Sequence, residues 1–235
     1  MSNLFKRETL SGEFMQINRY LVRELQAMAR ALADVDMLQT WFTGCESQSK
    51  ALRDAGLPER IAALPHVESS YNPLVRSSAG AAGIWQFTRF TGKHYLRVDH
   101  VVDERLDPHK STQAAARLLH RYHEVLKSWP LTITAYNHGL SGVRRAVRET
   151  GTDDIGDIVQ QYRGSRFGFA SRNFYAAFLA AVDVSSNAES YFGILARQRP
   201  DLFVQGQGML QLGRHAAQLV HQAGLGQLAH AMPAA

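Results

Sequence analysis

The stretch SRNFYAAFLAAVDV, residues 171–184, is apolar and alanine-rich along most of its length. Such a segment predicts a helix buried on nearly all sides. Helical periodicity recurs elsewhere. In 14–33, Phe14, Ile17, Leu21, Leu25, Met28 and Leu32 fall at helical spacing and predict one long helix. In 103–129, a loop is followed by a helix with Ala115, Leu118, Leu119, Tyr122 and Leu126 on its apolar face and a cap near Ser111 or Thr112. Short helices are predicted from Pro130 to the stop at Asn137-His138-Gly139, over 141–150 before Gly151, and from a cap at Asp153 through Tyr162. A short helix ends near Gly56, Pro58 opens another, and Asn72-Pro73 closes it. Pro65 sits in the middle of that segment and predicts a kink or two short helices. Beyond the break at Pro200, an amphipathic helix is expected near 208–223. Strand signals are weak and no repeat is present, so the expected class is mainly α.

At 235 residues the chain suffices for one large domain or a domain with extensions, and 45% hydrophobic residues can fill a sizeable core. No apolar run approaches the roughly 18 residues that cross a bilayer. The net charge of +5 favours anionic partners, such as nucleic acid, an anionic polymer or a membrane surface, without choosing among them. The one cysteine, Cys45, excludes a disulfide framework within the chain. Its context FTGC is similar to a lipidation signal, but Asp34 and Asp36 interrupt what would be the apolar signal core, and Cys45 reads as a lone core cysteine. Met1 is not followed by a basic-then-apolar leader, so either export proceeds without one or a leader stood outside this sequence.

Glu68 is a lone carboxylate within LPHVESSYNPLVRSSAGAAGIWQF, residues 64–87. It falls near a predicted helix C-terminus, where the helix dipole disfavours a second negative charge, and its neighbours Leu64 and Val67 are apolar. Both effects raise a carboxyl pKa, and a carboxylic acid held protonated near neutral pH is a general acid. Taken alone, a glutamate is more often a solvated surface group. The flanking sequence shifts that reading. Gly80, Ala82 and Gly83 let a ligand approach the backbone, Gln86 offers an acceptor and two donors, and Trp85 serves either a sugar face or the core. In TAYNHG, Tyr136 has a hydroxyl able to donate to a carboxylate or a substrate carbonyl, and Asn137 reads otherwise as an ordinary helix stop.

Together, ALPHVESSYNPLVRSSAGAAGIWQFTRFTG, DERLDP, TAYNHG and GFASRNFYAAFLAA occur in an order and spacing that resembles the soluble-lytic-transglycosylase catalytic domain, in its membrane-bound lytic murein transglycosylase branch, over about residues 56–186. The resemblance implies a mainly helical, lysozyme-like α+β fold that cleaves peptidoglycan. It places the catalytic acid/base on Glu68, followed by Ser69. It places on Ser77 a serine near that acid, on Gln86 a substrate contact, and on Tyr136 and Asn137 the Ala-Tyr-Asn motif. Where the family often has Glu-Thr and then a tyrosine, this chain reads Ala170-Ser171-Arg172-Asn173-Phe174, so roles resting on that glutamate or hydroxyl do not carry over. The family reaction needs one acid. The glutamic acid protonates the oxygen between N-acetylmuramic acid and N-acetylglucosamine, then takes the proton from the 6-hydroxyl that attacks C1 to close a 1,6-anhydro ring.

The domain expectation is an N-terminal helical extension over 1–55, a catalytic domain over 56–190 and a helical tail over 191–235. Peptidoglycan glycan strands are the expected partner of a monomer in the periplasm or cell envelope, with cell-wall or membrane association. Neither metal nor organic cofactor is implied, and no nucleic-acid motif accompanies the charge. His120 and His123 lack a third ligand at fixed spacing, DERLDP reads as salt bridges and a helix-start turn, and Arg144, Arg145 and Arg148 form a basic face. Two rivals stand: a lysozyme-type hydrolase, which needs a second acid or a well-held water, and an inactive glycan-binding protein.

Overall fold

The computed structural model describes residues 47–187. The predicted helix over 14–33, Cys45 and the tail from 191 lie outside the described residues. After a helical stretch over 47–54 come a 3-10 turn Glu59–Ala63 and α1 Leu64–Ser69. Then follow α2 Arg89–Lys93, a 3-10 turn Glu104–Leu106, α3 Pro108–Leu126, α4 Trp129–His138, α5 Leu140–Thr150, α6 Ile155–Gln161 and α7 Phe169–Ser186. Among the described residues there is no strand. Isolated bridges join Arg76 with Ala82, Ala82 with Phe87, and Val98 with Asp103. The class is mainly α, as the periodicity implies.

The alanine-rich segment forms α7 and lies at the centre, packed on α4, α1 and the first 3-10 turn. Phe174 and Phe178 are fully buried within it, each worth about 1.5–3 kcal/mol of apolar transfer. Arg172 is the exception on this helix. Its guanidinium clamps the carbonyls of Val159 at 2.6 Å, Tyr162 at 2.7 Å and Phe167 at 3.1 Å, tying the end of α6 and the following loop to α7. Leu52 from the leading helical stretch joins the same core.

Pro65 produces the second of its two predicted outcomes. The chain makes a 3-10 turn and then α1, with the proline in the first helical turn where its missing N–H is harmless. The helix ends four residues before Pro73, because Ser70 and Tyr71 both turn left-handed, at φ 51° and 60°. The fully buried Tyr71 ring, whose hydroxyl donates to the Ala62 carbonyl, holds that conformation.

Two caps differ from expectation. α3 begins at Pro108, with Asp107 accepting from the His109 and Lys110 amides at 2.9 and 3.0 Å; Ser111 and Thr112 are buried one turn further on. α6 is capped by Asp154, accepting from the Asp157 amide at 3.0 Å, and not by Asp153. In both cases the carboxylate immediately before the first helical residue is the cap.

Candidate active site

The last turn of α1 presents Glu68 to an open cleft of ≈ 530 Å³. The cleft is lined also by Ala81, Gln86, Phe87, Thr88 and Thr91 from the 76–91 segment, by Leu118 and Tyr122 from α3, and by Tyr136 and Asn137 from α4. Glu68 retains partial exposure toward this opening. Its carboxyl nevertheless lies deep enough that burial pushes its pKa up to about 8. No other carboxyl lines the cleft among the described residues.

The four acids that follow in sequence are engaged elsewhere. Asp99 bonds Arg97 and the Val101 and Val102 amides, which hold its pKa down at about 2. Asp103 pairs with Arg105 and Arg76, and its pKa too is lowered to about 2. Glu104 is lowered by the bond from Lys110, and Asp107 caps α3. DERLDP is structural, as its sequence suggests.

The wall opposite Glu68 is a tight loop organised by Arg105. This arginine is buried at 2% exposure, pairs with Asp103 at 2.8 Å, and donates to the carbonyls of Gly80 at 2.7 Å and Phe87 at 3.0 Å. Gly83 has φ +77°, and a Cβ there would stand 1.8 Å from the Arg105 carbonyl oxygen, so only glycine fits. Gln86 has φ 46°, and its Nε2 donates to the Gly83 carbonyl at 2.8 Å, leaving the amide oxygen as the group turned from that bond.

Trp85 is a core residue. It is fully buried and its Nε1 donates to Thr112 Oγ1 at 2.7 Å, so it offers no face to a sugar. Its backbone carbonyl accepts from the Tyr136 hydroxyl at 2.7 Å. Tyr136 therefore spends its single hydrogen on the backbone and cannot also donate to Glu68 or a substrate carbonyl as the sequence suggested; its oxygen remains an acceptor. Tyr136 stands close to Glu68: burial raises its pKa well above the usual phenol value, and the nearby carboxyl raises it further.

Ser69 donates to the Ile84 carbonyl at 2.9 Å, fastening α1 to the loop. Ser77 Oγ accepts from the Ala81 amide at 3.0 Å, shaping the turn that carries Ala81 into the cleft. Neither serine is itself among the cleft-lining residues. Asn137 is not a left-handed helix stop. It lies inside α4, Gly139 caps the helix, and Asn137 Oδ1 accepts from Ser171 at 3.0 Å, with His138 Nδ1 3.1 Å from the same hydroxyl. Ser171, from the stretch where the chain departs from the family pattern, thus holds a cleft residue. Phe87, Thr88, Thr91, Leu118 and Tyr122 escape sequence reasoning. For Tyr122 the available signal was a hydroxyl on an otherwise apolar helical stripe.

His120 bonds the Ala55 carbonyl at 2.8 Å, whereas His123 stacks on Trp129 with ring centroids 4.1 Å apart. Among the described residues no group of three or more His, Cys, Asp or Glu could hold a metal ion, and no helix is long and apolar enough to cross a membrane.

A mainly α domain of lysozyme-like build, with a single raised carboxyl in a cleft of mixed polar and apolar lining, is the class that fold and site define. Residues 46–159, just under half of the chain, match the model of the transglycosylase SLT domain. It is 30% identical over 149 residues to the membrane-bound lytic murein transglycosylase D of Escherichia coli (strain K12), a match covering 60% of this chain and 31% of the relative. The protein of the same name from Escherichia coli O6:H1 (strain CFT073) matches equally. The chain spans about a third of the length of these relatives.

Proposed function

We propose that this chain cleaves the β-1,4 bond between N-acetylmuramic acid and N-acetylglucosamine in peptidoglycan, without water, leaving a 1,6-anhydro-N-acetylmuramic acid end. The observation that carries this reading is the lone Glu68 carboxyl with its pKa near 8, in a cleft where no second carboxyl is present among the described residues.

Glu68 starts protonated and gives its proton to the glycosidic oxygen. The C1–O bond breaks, the leaving sugar departs as an alcohol, and positive charge develops at C1. The substrate's own acetamido group supports that charge. Glu68, now a carboxylate, accepts the proton of the 6-hydroxyl as that oxygen bonds C1. Glu68 ends as it began, protonated, and no water is consumed. The nucleophile belongs to the same sugar, so proximity replaces much of what a second carboxylate supplies in a hydrolase. The Tyr136 oxygen and the Gln86 amide flank the acid and orient the strand, with Asn137 held by Ser171 at the α4 end; Ser69 and Ser77 fix the two segments that frame it.

The relatives' name attaches them to murein and to a membrane. The cell envelope is accordingly the proposed place of action, and the periplasm, contact with the wall or membrane, and a monomeric state are further parts of this reading. Digestion of purified sacculi in heavy-oxygen water, followed by mass spectrometry of the muropeptides, tests it. The expected ends are unlabelled and lighter by one water than hydrolysis products. Heavy label at C1 of most new ends establishes the lysozyme-type rival, and no new ends at all establishes the inactive glycan binder.

A further inference from the structure

The polar groups of the cleft differ in what their hydrogens already do. Tyr136 donates to the Trp85 carbonyl, Gln86 Nε2 to the Gly83 carbonyl, and Thr88 Oγ1 to Thr91 Oγ1 at 3.1 Å. Tyr122, on the α3 side of the cleft, makes no such bond. Its phenol lines the same cleft, near enough to Tyr136 to bear on that group's ionisation, and it makes no hydrogen bond to another described residue. Burial keeps this phenol un-ionised, so its hydrogen is present throughout the neutral range. A partly buried hydroxyl whose hydrogen has no acceptor among the described residues is open to give it to water or to a ligand.

Leu118 sits one helical turn before Tyr122 on α3 and lines the cleft beside it. The pair thus offers one hydrogen-bond donor and one apolar surface side by side. Among the groups on a glycan strand, ring hydroxyls can donate or accept and carry no methyl. An N-acetyl group has a carbonyl oxygen that only accepts, with a methyl group next to it, and matches the pair in both halves.

We infer that Tyr122 is a specificity-determining residue of this cleft, donating a hydrogen bond to the carbonyl oxygen of a substrate N-acetyl group whose methyl packs on Leu118. This rests on the glycan-cleaving reading above. It predicts a preference for acetylated over deacetylated strands that is set by one hydroxyl and is separate from the chemistry at Glu68.

The test is a binding measurement in which no turnover intervenes. Protein carrying Glu68→Gln is titrated calorimetrically with an N-acetylglucosamine oligosaccharide and with its N-deacetylated counterpart, with and without Tyr122→Phe. Removing one neutral hydrogen bond should narrow the preference for the acetylated ligand by about three- to tenfold, entirely through weaker binding of that ligand. Binding with an unchanged ratio overturns the Tyr122 assignment and leaves the glycan reading standing. Absence of binding to either oligosaccharide by either protein overturns the glycan reading itself, and this inference with it.

Discussion

Glu68 occupies a place where its ionised form is disfavoured, and that has consequences for activity and stability alike. As the sole acid and base of the proposed reaction, it should lose about 100- to 10,000-fold of turnover on sacculi as Glu68→Gln; a variant keeping a third of wild-type activity would contradict the role. Because the first step needs the protonated form, kcat/KM should decline as pH rises through about 8. Stability falls with rising pH as activity does, but over a lower window. Below pH 4.5 the group is neutral in folded and unfolded chains alike. Between 4.5 and 8 only the unfolded chain ionises, so folding is increasingly disfavoured across that window. Glu68→Gln should therefore be more stable than wild type near pH 7, on the order of 1–3 kcal/mol after allowing for water in the cleft, and equal to it in acid. Denaturant titrations at the two pH values measure the difference. The neighbouring His66 works the other way. Burial lowers its pKa to about 3, so stability should fall as pH drops from 6.5 toward 3, and His66→Leu should flatten that limb in the same titrations.

At the level of elements, the loop from Arg76 to Phe87 depends on contacts that its own residues do not announce. Gly80 and Gly83 have the same φ of +77°, yet a side chain at Gly80 meets open space and one at Gly83 meets the Arg105 backbone. Gly80→Ala should cost about 1 kcal/mol, the strain of a left-handed alanine. Gly83→Ala should cost a further 1–3 kcal/mol or so and depress activity by displacing Gln86, with thermal unfolding and turnover separating the two variants. The sequence could not foretell this difference, because the partner, Arg105, lies 22 positions further on in a segment that reads only as a charged turn. The isolation of Glu68 was visible, since from Ser69 to Arg97 the chain has no other acid. So were the two short helices around Pro65 and the buried α7. The α3 cap was missed because Asp107-Pro108 and Ser111-Thr112 both make plausible starts, and only packing of Ser111 and Thr112 into the interior decides between them. Tyr136 lines the same cleft as Glu68, but the direction of its hydrogen bond depends on the Trp85 carbonyl, 51 residues away, which no local pattern encodes.

Across the whole molecule, charge and connectivity matter more than single groups. The chain is net positive by five, and Arg144, Arg145 and Arg148 stand exposed on α5. If that face meets an anionic wall, replacing all three with glutamine should weaken co-sedimentation with sacculi at low salt, and the deficit should disappear near 1 M salt, where the Debye length is only about 3 Å. Equal loss at both salt levels would point to a contact that is not electrostatic. The two hydroxyl fastenings, Ser69 to Ile84 and Tyr136 to Trp85, connect α1 and α4 to the same short run of backbone. In hydrogen-exchange terms, the amide of Gln86, bonded to Gly83, and that of Ala82, bonded to Phe87, should not be released by a separate fluctuation of the loop. Their protons should exchange together with those at the end of α1, at a rate set by one opening event, so that the acid and the wall it faces come apart only as a single cooperative unit.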